Sequence, residues 1–388
     1  MQKKIALIEP YRHSEVLRSL IHLLDHRGWR VSIFTNPTVR ADLYEVHDHP
    51  RLRWWVGDTQ APAVFLQGHL PQLAEQDLLL FVTLVTDFNR LSRIDWPAPS
   101  ILILHNGHTF FAPWQHLRFP RRGRDWLRLL RMLLRGEPRR RQRLLASVDF
   151  LSGPSPHIQA DWCRRWPQLL ERYQWVSPLP FAFYEGPGVE RTDSRLRVVI
   201  PGTVNPAGRD YQLLYRALQR ILPDLQQPLD LFLLGSARST AARRVVQSFE
   251  SLSSPLLTCH YFPDVLAQVD FDRHLRSADF LLLPLRSHYP LGLIRERYGY
   301  SNISGGLNDA LRFGLPLLLP AHYPVPDAVR PLVRSYRGEE DLVNTLRSWL
   351  LERDFLLLRQ DAPTQLAPYS LDPLSAQLDR ELRAILSR

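Results

Sequence analysis

Residues 196–211 read Leu-Arg-Val-Val-Ile-Pro-Gly-Thr-Val-Asn-Pro-Ala-Gly-Arg-Asp-Tyr. Leu196 to Ile200 is a short apolar run that stops at Pro201-Gly202, the signature of a buried strand entering a turn. A helical pattern follows over Tyr211 to Leu222. Downstream the alternation continues. Leu229 to Leu234 reads as a strand ending at Gly235, Ala241 to Phe249 as a helix and Phe280 to Leu283 as a strand. Leu307 to Phe313 reads as a helix and Leu315 to Leu319 as a strand. Short buried strands alternating with helices predict parallel βαβ units.

The first half carries the same pattern. Ile5 to Ile8, Val31 to Phe34, Leu78 to Val82 and Ile101 to Leu104 are apolar runs, and Glu15 to Arg27 has helical spacing. The fold class expected is therefore α/β, with two Rossmann-like parallel-sheet domains facing a cleft. The boundary is expected within 178–195, a Pro- and Gly-rich stretch before the fresh strand. This divides the chain into 1–180, 195–365 and a C-terminal segment 366–388. The last reads as an amphipathic helix (Leu374, Leu378, Leu382, Ile385) packing back toward the N-terminal domain.

The chain has 388 residues, 45% hydrophobic and 23% charged, the balance of a globular protein of two or three domains. It holds no apolar run of the ~18 residues a membrane span requires. The start, MQKKIALIEP, reads as a first strand and not as a secretory signal. Cys163 and Cys259 stand alone, so free thiols in a reducing, cytoplasmic compartment are expected. The formal net charge is +10. Between Arg118 and Arg143 eleven arginines accompany only Asp125 and Glu137, which accounts for nearly all of that excess.

In open parallel sheets ligands bind at the carboxyl ends of strands. After the first strand come Glu9, Tyr11, Arg12, His13 and Glu15, with Ser14 placed to cap a helix. After Ile101 to Leu104 come His105, Asn106, Gly107 and His108. Histidine works as a base near neutral pH, and the glycine permits a tight exit. The Gly202-Thr203 loop opens a helix beside Arg209, an arrangement suited to phosphate, although neither GKS/T nor GxGxxG is present. Gly235-Ser236 is a second small-residue turn. Ser304-Gly305-Gly306 opens a helix bearing Asp309, which offers free amides to phosphate oxygens and a carboxylate to hydroxyls. No His/Cys ligand cluster is evident, and no metal is expected.

Residues 309–316, Asp-Ala-Leu-Arg-Phe-Gly-Leu-Pro, resemble the E-A-x-x-x-G-x-P segment that closes the E-x7-E motif of family 4 retaining glycosyltransferases. The 201–210 loop, the Gly235 turn and Ala278-Asp279-Phe280 recur there in the same order. The resemblance implies a GT-B fold and a nucleotide-diphosphate-sugar donor, with no obligatory cofactor. Asp309 matches the ribose-binding glutamate. The first motif glutamate falls on Ser301, a departure for which the nearby Glu296 is expected to compensate. The family's loop arginine and lysine fall on Thr203 and Gly208, leaving Arg209 as the replacement cation. The implied donor set is Gly202, Thr203, Arg209, Gly235, Ser236, Glu296, Ser304, Gly305, Gly306 and Asp309. His105, His108 and Arg209 are the catalytic candidates. Tyr11, Arg12, His13, Glu15 and Asn106 are the acceptor candidates.

The arginines of 118–143 are interleaved with Trp126, Leu127, Leu129, Leu130, Met132, Leu133 and Leu134. A basic amphipathic helix fits an anionic membrane surface, and so peripheral attachment and a lipid-linked or polysaccharide acceptor. It equally fits a helix whose apolar side packs on its own domain. Nucleic acid is disfavoured, because stacking aromatics are not interleaved. Two other functions remain open on this scaffold: a nucleotide-sugar epimerase, and a non-catalytic scaffold binding an anionic partner.

Overall fold

The computed structural model describes residues 2–57, 61–120, 123–189 and 194–387. Arg121 and Arg122 of the arginine-rich stretch and 190–193 of the expected linker lie outside the described residues. The chain forms two compact units.

The first unit comprises Met1–Ala182, Pro290–Ile303 and Leu371–Arg388. Its sheet is built from β1 (Lys4–Glu9), β2 (Arg30–Thr35), β3 (Leu52–Val56), β4 (Leu78–Phe81), β5 (Ser100–Ile103), β6 (Phe150–Ser152) and β7 (Gln174–Trp175). The strand order is β3-β2-β1-β4-β5-β6-β7, and neighbours are parallel throughout. β1, β4 and β5 are covered on both faces, so their side chains read as unbroken apolar runs. The core joins Ala6, Ile8, Phe34, Phe81, Leu102, Leu104 and Trp162. Helix Leu371–Leu386 lies against helix Ser14–His26. Between its turns and the start of β2, Trp29 Nε1 donates to Asp379 at 2.7 Å, and Arg27 Nε donates to Ser375 at 3.0 Å.

The second unit comprises Phe183–Tyr289 and Ser304–Ser370. Its sheet holds β8 (Leu196–Pro201), β9 (Leu229–Ser236), β10 (Leu257–Phe262), β11 (Phe280–Leu282), β14 (Leu317–Pro320) and β15 (Val333–Tyr336). The order is β10-β9-β8-β11-β14-β15, again all parallel. One buried cation organises the helices beneath it. Arg312 donates to both oxygens of Asp272 at 2.9 and 3.0 Å and to Glu185 at 2.7 Å. Burial opposes its charge, but these two carboxylates outweigh burial and raise its pKa further.

The remaining strands, β12 (His288–Leu291) and β13 (Ile294–Arg297), make a two-stranded ribbon. Pro290–Ile303 belongs to the first unit, although it lies inside the 195–365 stretch. Within that unit Arg295 N donates to His116 O at 2.9 Å, and Arg118 N donates to Leu293 O at 2.7 Å.

Candidate functional site

Each sheet reverses its order of addition once, between β1 and β4 in the first unit and between β8 and β11 in the second. The crevice at such a reversal is where open α/β sheets take ligands.

In the second unit three glycine-bearing turns meet there. A Cβ on Gly235 would overlap the carbonyl group of Gly202 and stand 2.6 Å from Thr203 N. A Cβ on Gly306 would stand 2.7 Å from Leu283 and 3.2 Å from Pro201. Only glycine lets these backbones approach so closely. The start of helix Gly305–Phe313 therefore sits directly over the ends of β8 and β11. Ser304 N donates to the Tyr323 hydroxyl at 3.3 Å, while Gly305 is exposed, with nothing within 4 Å of its Cβ position. The first-turn amides and the helix dipole make this an anion-accepting end. Asp309, half-buried, is one turn further along the same helix.

Arg209 does not stand free as the phosphate cation. It is buried, and its guanidinium donates to the carbonyls of Pro201 and Gly202, the latter at 3.0 Å. The loop's own carbonyls point at the cation, so Arg209 braces the turn from inside. Arg286, just past the end of β11, is exposed. Its Nε donates to Arg209 O at 3.3 Å, and its Nη2 lies 3.2 Å from Asp210. Asp210 in turn caps helix Tyr211–Ile221 by accepting from Leu213 N. Arg286 lines a pocket of about 610 Å³ with Asp210, Ser287, His322, Tyr336 and Arg337. None of these was marked by the sequence. Arg286 was accessible to the strand-end rule, had that rule been applied after Leu283. Burial, with Asp210 nearby, raises the Tyr336 phenol above its ordinary value.

In the first unit the reversal carries a histidine pair. The rings of His13 and His105 stack, with centroids 4.4 Å apart and planes within 10°. His13 Nδ1 lies 3.1 Å from Glu15. Glu9, fully buried at the end of β1, accepts from the amides of Tyr11 and Arg12 at 2.8 and 3.0 Å. Burial disfavours a charged His13, but the hydrogen bond and charge of Glu15, with Glu9 behind, lift its pKa to about 9. Burial, helped by the charge of His13, pushes His105 down to about 3. Its Nε2 lies 2.8 Å from Val82 O, so that nitrogen carries the proton and Nδ1 keeps a lone pair. The site thus holds one cationic imidazole against one neutral imidazole. Burial is also the main cause that raises the Glu9 carboxyl.

His13 and Asn106 open onto a pocket of about 560 Å³ in this unit. Tyr11 lies at its hydroxyl 3.3 Å from Thr86 O, and Arg12 is exposed. The sequence-marked residues His13, Glu15 and His105 are therefore brought together, with Asn106 next in the chain.

His108 and Glu296 differ from expectation. His108 is 3% exposed, its Nδ1 donates to Arg295 O at 2.7 Å, and its ring stacks on His116 at 3.4 Å. Glu296 is fully buried. It accepts from the amides of His108 and Thr109 at 3.3 and 2.8 Å, and from the Thr109 hydroxyl at 2.6 Å. Both side chains are spent on fastening Pro290–Ile303 to helix Gly107–Phe111, so neither presents a group to a donor sugar. Burial raises the Glu296 carboxyl, against the hydrogen bonds of Ser301 and Thr109. Ser301, at the position of the missing motif glutamate, is buried in the first unit and donates to Arg297 O.

No family model and no curated protein matches the chain in sequence. Solved structures match it across nearly its whole length. HepE of Anabaena, in complex with UDP and glucose, is 13% identical with a TM-score of 0.62, over 99% of this chain and 100% of that one. An α,α-trehalose-phosphate synthase (UDP-forming) of Burkholderia vietnamiensis is 10% identical with a TM-score of 0.58, over 100% of both chains. A UDP-N-acetylglucosamine 2-epimerase is 13% identical with a TM-score of 0.51, over 98% and 96%.

The fold is GT-B. At these identities the likeness establishes architecture alone. Among the described residues of this GT-B chain no group of three or more His, Cys, Asp or Glu side chains is arranged to hold a metal ion. Nor is any described helix long and apolar enough to cross a membrane.

Proposed function

We propose that the protein is a glycosyltransferase using a nucleoside-diphosphate sugar, with the diphosphate held by the second unit. One observation carries this reading: the exposed start of helix Gly305–Phe313 lies over the β8/β11 reversal, walled by the Gly202 and Gly235 turns. The UDP in the HepE structure and the UDP-forming activity in the synthase's name support a uridine nucleotide as first donor to test. Retention of configuration follows from the resemblance to family 4.

In the reaction the bond between the anomeric carbon and the diphosphate breaks, and the electron pair leaves with the diphosphate. The helix amides and Arg286 stabilise that developing charge. The acceptor hydroxyl bonds to the anomeric carbon and gives its proton to the departing phosphate. In the first unit, Nδ1 of His105 accepts a hydrogen bond from a substrate hydroxyl, and cationic His13 donates to an anionic or carbonyl group.

Calorimetric titration with UDP tests the reading. Binding that weakens on Arg286→Ala supports it, and no binding of any nucleoside diphosphate refutes it. A donor screen read by product mass then identifies the sugar.

The His13–Glu15–His105 set favours one second reading, a nucleotide-sugar epimerase. Incubating UDP-N-acetylglucosamine in D2O without an acceptor separates the two. A deuterated epimer supports the second reading, and unchanged substrate supports transfer.

A further inference from the structure

An amphipathic helix on a protein surface turns its apolar side inward. Helix Gly123–Leu134 does the reverse. Trp126, Leu127, Leu130, Leu133 and Leu134, which share one face, are 50–77% exposed. Phe119, also exposed, packs edge-on against Trp126 at 5.7 Å. The other side buries Met132 and lines the first unit's pocket with Arg128, Arg131 and Arg135, joined there by Arg141, His13 and Asn106. Arg141 is held by Glu137 and Thr109 O, both at 3.2 Å. Arg128, Arg131 and Arg135 make no ion pair among the described residues.

Five exposed apolar side chains on a single face need a covering phase. The charge beside them selects it. Helices Gly123–Leu134 and Glu137–Ala146 carry seven arginines and two acids, and Arg135 stands between them. A neutral apolar protein surface leaves those cations unanswered, whereas an anionic leaflet offers acyl chains to the outward leucines and, across the width of one helix, within the ~10 Å reach of its charge, attracts the exposed arginines behind them. The arginine pocket opens beside His13 and Asn106, so an anion within it lies next to the stacked histidines.

We infer that helix Gly123–Leu134 seats on an anionic membrane by its Trp126–Leu134 face, and that Arg128, Arg131 and Arg135 hold the phosphate of a lipid-linked acceptor. The inference rests on the glycosyltransferase reading for the acceptor's role. Its membrane contact is testable separately.

The test is flotation of the full chain with phosphatidylcholine vesicles, alone or doped with phosphatidic acid, at low and high salt. The wild type is expected to float with the doped vesicles at low salt and to be released at high salt. Leu127→Glu with Leu130→Glu is expected to abolish flotation. Arg131→Gln with Arg135→Gln is expected to weaken binding to doped vesicles about fivefold per arginine, the factor that ~1 kcal/mol corresponds to. All four positions are exposed, and circular dichroism checks that the variants are folded. UDP affinity, measured on every preparation, is expected to stay constant. Failure of the wild type to float at low salt overturns the inference. So does flotation of either variant equal to the wild type, or binding of a single-stranded RNA as tight as that of the doped vesicles. UDP binding without flotation removes this inference and leaves the proposed function standing. Flotation without UDP binding removes the proposed function, and with it the acceptor's role, and leaves the membrane contact standing.

Discussion

The His13 and His105 rings lie face to face at 4.4 Å, yet the first is held protonated and the second neutral. The Glu15 carboxylate keeps the proton on His13, while burial and the charge of His13 keep His105 neutral.

That split fixes a pH dependence. The folded pKa of His13 is raised from 6.5 to about 9, so its contribution to stability is full below 6.5 and is lost as pH climbs through 9. His105 is depressed from 6.5 to about 3, so the unfolded chain takes up its proton first and stability falls as pH drops below 6.5. The pair together predicts a stability maximum close to pH 6.5. Thermal melts across pH check this. Glu15→Gln is expected to flatten the alkaline limb, and an unchanged limb would refute the role of Glu15.

Gly306 and Gly305 are adjacent but differ in what they tolerate. Gly306→Ala forces a methyl against Leu283 and Pro201 and is expected to cost about 1–3 kcal/mol, and to weaken UDP binding by lifting the helix start. Gly305→Ala meets open space and is expected to leave the melting temperature within a degree or so of wild type. Melts and UDP titrations on the two variants make the comparison.

Arg209 and Arg286 are expected to separate stability from binding. Arg209→Ala leaves the carbonyls of Pro201 and Gly202 without their buried donor, a loss of about 3 kcal/mol. Arg286→Ala removes an exposed side chain and should leave the melt unchanged while weakening UDP binding. Equal losses of stability in both would contradict this division.

Glu296→Gln tests the fastening of Pro290–Ile303. The carboxylate accepts from two amides and a hydroxyl, and an amide nitrogen in its place confronts a donor with a donor. A loss of about 2 kcal/mol is expected by denaturant unfolding. Glu296→Asp, which keeps both acceptors on a shorter arm, should lose less.

Most of the fold was legible because the central strands are buried on both faces and so read as apolar runs. β1, β4, β5, β8, β9, β11 and β14 announced themselves in this way. The edge strands did not. β3 reads Leu-Arg-Trp-Trp-Val, β10 Leu-Thr-Cys-His-Tyr-Phe and β15 Val-Arg-Ser-Tyr, each with one side facing water. The glycine turns of the second sheet were visible as residue types, since close backbone approach demands glycine. Which of the two cations stays exposed was not, because Arg209 and Arg286 are separated by packing and not by sequence. The fate of His108 and Glu296 was equally hidden. Their partners are almost 190 residues apart, and no local pattern links them.

The return of Pro290–Ile303 to the first unit bears on the order in which the protein is made. β1 to β7 emerge from the ribosome well before the segment that satisfies the His108 and Thr109 amides, and earlier still than helix Leu371–Leu386. The second unit has all of its chain by residue 370. The nascent first unit therefore lacks two of its pieces until residues 290–303, and after them 371–386, have been made.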